Sequence, residues 1–292
     1  MIAISEQTSR RPISRFLPRR LRLLLSHPRL EPRVSAVLRG TVVRESARFA
    51  AYELSGVVKT RTYQLRENGM RVSVAHCTAD AQALDQAFYQ HAHEPAPGAL
   101  AALSAMERPV RALDLGANVG LWGLWLHGRM PVERVLGLEP DPENVHRHRR
   151  QIELNGLGSS WEVVEAAAVT KDGPVSFTVG QATNGHVTAG ADPGTATVAG
   201  LDTFALLEQI DLLKIDIEGG EWPILADPRF ALVDVPVVML EYHADGTSSP
   251  NPGSDAQSAL ERAGYATESM PETTEGFGVI WGCKRPCASV ST

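Results

Sequence analysis

Apolar positions along the chain change their spacing at Pro109. Before it, Arg61–Leu65 and Met70–Ala75 flank Asn68-Gly69, a dipeptide suited to a two-residue hairpin turn, and the stretch from about Ala50 to His76 reads as β-rich. Asp80–His93 then carries Ala83, Leu84, Ala87 and Phe88 at helical spacing. Pro95 and Pro97 interrupt that pattern, and Ala99–Met106 predicts a second short helix.

Beyond Pro109 compact apolar runs alternate with helical ones. Val110–Leu115, Arg134–Leu138, Trp161–Val169, Leu212–Ile217 and Val237–Glu241 predict strands, with Val175–Val179 a further extended piece. Helices are expected at Val119–Leu126, Pro142–Leu154 (stopped by Asn155-Gly156), Leu201–Glu208, Pro223–Phe230 and Ala256–Ala263. Tyr265–Glu268 and Val279–Lys284 close the pattern as an antiparallel hairpin. Alternation of this kind implies an α/β, Rossmann-like domain with a mostly parallel sheet and helices on both faces. Residues 180–198 and 243–256, rich in Gly, Ser, Thr, Asn and Asp, read as loops. The divisions expected are a basic arm or helix over 1–45, a hairpin and helical cap over 46–106, the main domain over 107–285 and a tail over 286–292.

Composition narrows the function classes. The chain has 292 residues, 43% hydrophobic and 21% charged, with a formal net charge of −6, so the whole molecule does not present the basic surface expected of a nucleic-acid binder. Cys77, Cys283 and Cys287 are too few for a disulfide framework and fit a reducing cytoplasm; they have no neighbours to complete a metal site. No apolar run reaches the roughly 20 residues of a membrane span. The amino-terminal stretch is locally basic, with Arg10, Arg11, Arg15, Arg19, Arg20, Arg22, Arg29, Arg33 and Arg39 against Glu6 and Glu31. It reads as an arm or a packed helix, in preference to a contact with an anionic surface.

Four segments carry candidate chemistry. In Val110–Gly120 an apolar strand ends in Asp114, and Gly116, Ala117, Asn118 and Gly120 form a turn whose backbone can approach a ligand closely. The three residues between Gly116 and Gly120 depart from the dinucleotide fingerprint, and an acid before the turn suits a ligand bearing an ammonium group. One strand–helix–strand unit later, Glu139 is placed to accept the hydroxyls of a ribose, with Pro140 against an adenine and Glu165 near its amino group. In Leu212–Glu221, alternation sends Lys214, Asp216 and Glu218 to one face of a buried strand, which is costly unless they meet water, each other or a ligand; a plain ion pair of Lys214 with Glu218 or Glu221 is the structural alternative. Val237–His243 ends in Glu241 and His243, and a histidine there is a candidate proton acceptor near neutral pH.

Together DLGANVG, LGLEPDPEN, GLDTF, LLKIDIEGGEWPIL and VVMLEYH resemble the FkbM family of methyltransferases over about residues 107–245. The resemblance implies a class I methyltransferase fold with a seven-stranded sheet, S-adenosylmethionine as cofactor, and methylation of a hydroxyl on a polyketide, glycoside or sugar. It also implies that Asp114, Gly116, Asn118, Gly120 and Glu139 hold the cofactor, and that Asp216 and Glu218 face the transfer site beside Glu241 and His243. Thr203-Phe204, where a second acid often follows the Leu-Asp pair, and Trp222-Pro223, in place of an aliphatic run, depart from the family pattern and leave substrate choice open.

Transfer from a sulfonium rewards alignment, and an alcohol attacks well only once its proton is taken or polarised. His243 or Asp216 is the expected proton acceptor, with Lys214 or Glu218 setting the field; no metal is assigned, a divalent ion on Asp216, Glu218 and Glu241 being a variant. The expected partner is a small hydroxylated molecule, with no nucleic acid and a dimer allowed. Two rivals remain: a nicotinamide oxidoreductase, disfavoured by the turn spacing, and a non-catalytic binding protein on the same fold.

Overall fold

A computed structural model describes residues 31–178, 187–188, 195–270 and 276–284. The arginines before position 31, most of the 180–198 stretch, Cys287 and the 286–292 tail lie outside the described residues. Helices α1 (Glu31–Gly40) and α2 (Ser46–Leu54) precede a hairpin of β1 (Lys59–Gln64) and β2 (Arg71–His76), followed by α3 (Ala79–Phe88) and α4 (Pro97–Ser104). The main domain runs β3 (Val110–Leu115), α5 (Leu121–Arg129), β4 (Val132–Glu139), α6 (Pro142–Asn155), β5 (Trp161–Glu165), β6 (Ala167–Val169), β7 (Gly173–Thr178), β8 (Val187–Thr188), β9 (Thr195–Asp202) and β10 (Leu212–Ile215). It closes with α7 (Glu221–Ala226), β11 (Val237–His243), α8 (Pro252–Arg262), β12 (Tyr265–Ser269) and β13 (Phe277–Lys284).

The expected seven-stranded sheet is present, in the order β12-β13-β11-β10-β3-β4-β5. All neighbours from β11 to β5 are parallel, and β13 runs antiparallel between β11 and β12. One apolar cluster packs α5, α6 and the amino-terminal elements on one face, around Trp125 and Trp281; the other packs α7 and α8 around Phe230 and Tyr265. Helix α5 is apolar all round, with Leu121, Trp122, Leu124, Trp125 and Leu126 buried, each side chain worth roughly 1.5–3 kcal/mol.

Helix α6 is set by local signals: Asp141 accepts from the Glu143 and Asn144 amides, Pro142 occupies the first turn, and Gly156 ends it at φ 64°. It also carries the amino-terminal elements. The Gln151 side chain exchanges two hydrogen bonds with the Ser73 backbone at 2.7 and 2.9 Å, and Arg147 pairs with Asp80 of α3 at 2.9 Å. That anchorage brings α3 over the carboxyl ends of the sheet strands.

Several expectations change. The start of the stretch read as β-rich, residues 50–54, belongs instead to the helix Ser46–Leu54, because an Ala-rich run around the buried Phe49 satisfies its own backbone. The hairpin loop spans 65–70, not two residues: Leu65 is drawn into the core, bridges Val43 and accepts from the Gly69 amide. The strand over Trp161–Val169 breaks at Ala166, and β6 leaves for a four-stranded sheet, β6-β9-β7-β8. The helix expected over Leu201–Glu208 is the end of β9 followed by a single 3₁₀ turn at Thr203–Leu206; pairing with β6 and β7 outweighs the helical propensity of its leucines.

Candidate active site

The glycine turn is built by close contact between backbones. Gly116 has φ 79°, and a Cβ there would strike the Asp216 carbonyl oxygen; Gly120 has φ 84° against the ring of the buried His148. Asn118 also adopts a left-handed φ of 47°. Its amide donates to Glu139 Oε2 at 2.8 Å, while Glu139 Oε1 accepts from the Asp141 amide at 2.9 Å and the Asn144 side chain at 3.3 Å. Burial raises the Glu139 carboxyl to about 7 despite these donors. Burial likewise takes His148 down to about 3, leaving it neutral beneath the turn.

Register places Asp114 directly beside Lys214 on the neighbouring strand, both are buried, and Lys214 Nζ lies 3.0 Å from Asp114 Oδ1, 3.2 Å from the Gly116 carbonyl and 3.2 Å from Asp216 Oδ2. An ammonium of the chain itself thus stands beside Asp114. Burial acts to lower the Lys214 ammonium, but Asp114 and Asp216 outweigh it and hold it charged; Lys214 in turn keeps Asp216 ionised against burial.

A cavity of about 120 Å³ opens beside the turn. Its walls include Gly116, Ala117, Asn118 and Trp122, then Lys214, Asp216, Glu218, Glu241 and His243, and from the amino-terminal elements Gln82, Gln86 and His93. Of the residues expected to bind cofactor, Asp114, Gly120, Glu139, Pro140 and Glu165 stand outside this cavity, with Glu165 exposed beside Glu139 in the register. Strand alternation does not deliver Glu218: β10 stops at Ile215, and Glu218 reaches the cavity from a turn with φ 52°.

His243 departs most from expectation. Its amide and Nδ1 both meet Glu221 Oε1, at 2.7 and 3.2 Å, and Nε2 lies 3.4 Å from Glu218 Oε2. Burial would lower the imidazole, yet Glu221, Glu218 and Asp216 lift it to about 10, so in this arrangement His243 holds a proton near neutrality rather than accepting one. Burial raises Glu218 to about 8. Glu221 is fully buried, and its second oxygen accepts from the Gly219 amide at 2.8 Å. Neither structural pair expected for Lys214 forms. Sequence spacing gave no sign that Glu221 holds His243, nor that Gln82, Gln86 and His93 share the cavity, because both depend on packing between distant segments.

No helix among the described residues is long and apolar enough to cross a membrane. Residues 114–266 match the family model described as Methyltransferase FkbM domain. A protein named Methyltransferase 1 from Beauveria bassiana is 23% identical over 184 residues, which cover 53% of this chain and 71% of that one. Similar solved structures include Methyltransferase FkbM from Methylobacillus flagellatus KT, at 19% identity and TM-score 0.43 over 70% of this chain and 53% of that one. The N-terminal domain of EvdMO1 with SAH bound is 22% identical, at TM-score 0.40, covering 66% of this chain and 82% of that one. Against an EvdMO1 structure the chain spans 40% of that chain's length, with 64% of its own covered, at 20% identity and TM-score 0.37.

Proposed function

The chain belongs to the FkbM methyltransferase family, and from that premise we propose that it transfers a methyl group from S-adenosylmethionine to a hydroxyl of a small natural product or sugar. The observation that carries the proposal is the single cavity in which the glycine turn meets Asp216, Glu218, Glu241 and His243. The residues present fit the cofactor: Gly116, Ala117 and Asn118 line the cavity where its amino-acid end would lie, and Glu139, fixed at the tip of β4, offers carboxylate oxygens for a ribose. Asp114 acts from beneath, holding Lys214 and so the shape of the turn. Residues 107–285 form the cofactor-binding domain, and residues 46–106 cap its acceptor side through α3.

Bound there, S-adenosylmethionine supplies a sulfonium methyl, whose transfer forms a C–O bond as the S–C bond breaks and leaves the electron pair on sulfur. The hydroxyl proton passes to the Glu218–His243 pair, whose Oε2 and Nε2 lie 3.4 Å apart in the cavity wall, once that pair has itself released a proton. Three carboxylates along the wall, Asp216, Glu218 and Glu241, also favour binding of a cationic donor over its neutral product.

Calorimetry with S-adenosylhomocysteine, followed by transfer of labelled methyl from S-adenosylmethionine to a panel of hydroxylated acceptors, tests this. Binding of about one equivalent and turnover lost in Glu218→Gln are expected. Well-folded protein that takes up neither nucleoside would sink the reading; uptake without turnover on any acceptor would favour a non-catalytic binding role.

A further inference from the structure

We propose that Asp216, Glu241 and His243 form a binding site for a divalent cation of the Mg²⁺ or Mn²⁺ kind at the acceptor end of the cleft. The inference deepens the methyltransferase reading and rests on it. The three donors come from two adjacent parallel strands. Asp216 follows directly on β10, and Glu241 and His243 stand two apart on β11, so both project to the same face; the pairing of Ile215 with Leu240 brings Asp216 level with Glu241. One ligand atom from each lies within 4.8 Å of the others. A point equidistant from three such atoms is within about 2.8 Å of each, so small side-chain rotations reach the roughly 2.0–2.6 Å of carboxylate and imidazole ligation.

Two observations outside that trio point the same way. Glu221, fully buried, holds His243 by Nδ1, the arrangement by which a carboxylate orients a metal-ligating histidine, and Nε2 faces Glu218 Oε2 at 3.4 Å. The cavity wall is also rich in carboxylate: Asp216, Glu218 and Glu241 line it beside Lys214, His93 and His243, and Lys214 is held by Asp114 and Asp216. A cation there gives the acceptor hydroxyl an oxygen-seeking partner beside Glu218, which eases loss of the hydroxyl proton.

Mn²⁺ titration of the full chain, followed by electron paramagnetic resonance with S-adenosylhomocysteine binding measured in parallel, is the test. One Mn²⁺ per chain is expected, displaced by Mg²⁺. Asp216→Asn, Glu241→Gln and His243→Ala should each weaken it at least tenfold, and Glu221→Gln about 10- to 100-fold through the histidine, while each variant still binds S-adenosylhomocysteine. Protein that binds the nucleoside but no stoichiometric Mn²⁺, or that binds Mn²⁺ equally well in all three ligand variants, overturns the metal site and leaves the methyltransferase reading standing. Loss of nucleoside binding in the unaltered chain overturns that reading instead.

Discussion

Lys214 Nζ sits 3.0 Å from the carboxylate of Asp114, and this buried pair joins the tip of β10 to the tip of β3 directly beneath the glycine turn. Lys214→Met removes the cation and leaves Asp114 and Asp216 close together in a poorly hydrated place. Breaking such a pair from one side costs about 3–5 kcal/mol. Urea unfolding should show a loss of that size. Adding Asp114→Asn to Lys214→Met should recover part of it, since the charge left behind is the cause. A single variant within about 1 kcal/mol of the parent would place the pair among weak surface bridges.

Gly116 meets two demands at once: a positive φ of 79° and a backbone carbonyl, from Asp216, where a side chain would begin. The left-handed backbone alone costs a non-glycine residue about 1–3 kcal/mol, and the collision adds to it because neither partner is a movable side-chain end. Gly116→Ala should therefore lower the melting temperature and weaken S-adenosylhomocysteine binding together. Gly156→Ala, at φ 64° with nothing near its added carbon, should lower stability while leaving that binding within about twofold, which separates backbone strain from loss of the turn's shape.

What was legible in the chain follows the range of the interaction. The strand carrying Asp114, the turn from Gly116 to Gly120, and the start and stop of α6 at Asp141 and Gly156 are written in adjacent residues, and all stand where the pattern put them. Lys214 could be seen as a costly charge in an apolar strand, but its partner could not: the register that sets it beside Asp114 joins residues 100 apart. His243 was legible as a strand-end histidine, but its charge state was not, because that is set by Glu221 and Glu218, which reach it only once α7 and the preceding turn fold against β11. Of the extra sheet of β6 to β9, the piece at Val175–Val179 was legible as extended but its pairing was not, because the strands are partly polar and pairing rather than propensity decides them.

Glu139 supplies a pH test of the cofactor site. Its carboxyl is raised from the ordinary 4.5 to about 7, so the folded chain holds that proton more tightly than the unfolded one. The resulting stabilisation is complete below 4.5 and is lost as pH rises through about 7; Glu139→Gln should remove this part of the stability slope. Ligand binding should run the other way, since ribose hydroxyls donate to the ionised form. Affinity for S-adenosylhomocysteine should fall about tenfold between pH 8 and pH 6, and Glu139→Gln should bind weakly with no such dependence. Calorimetry across that range checks both, and an unchanged affinity profile in the variant would remove Glu139 from the ribose site.

Gln82 and Gln86 stand four apart on α3, so they share one face, and both line the cavity opposite the β10 and β11 tips. Helix α3 is carried there by the Arg147–Asp80 pair. A side-chain amide both donates and accepts, which suits recognition of a hydroxylated acceptor rather than of a sulfonium. Replacing either with alanine should raise the acceptor KM about 2- to 10-fold, the worth of one net hydrogen bond, with affinity for S-adenosylhomocysteine held within about twofold. Steady-state kinetics at saturating cofactor, beside calorimetry, separates the two outcomes. Were nucleoside affinity to fall while the acceptor KM held, α3 would belong to the cofactor's side of the cleft, and the amino-terminal elements would not be choosing the substrate.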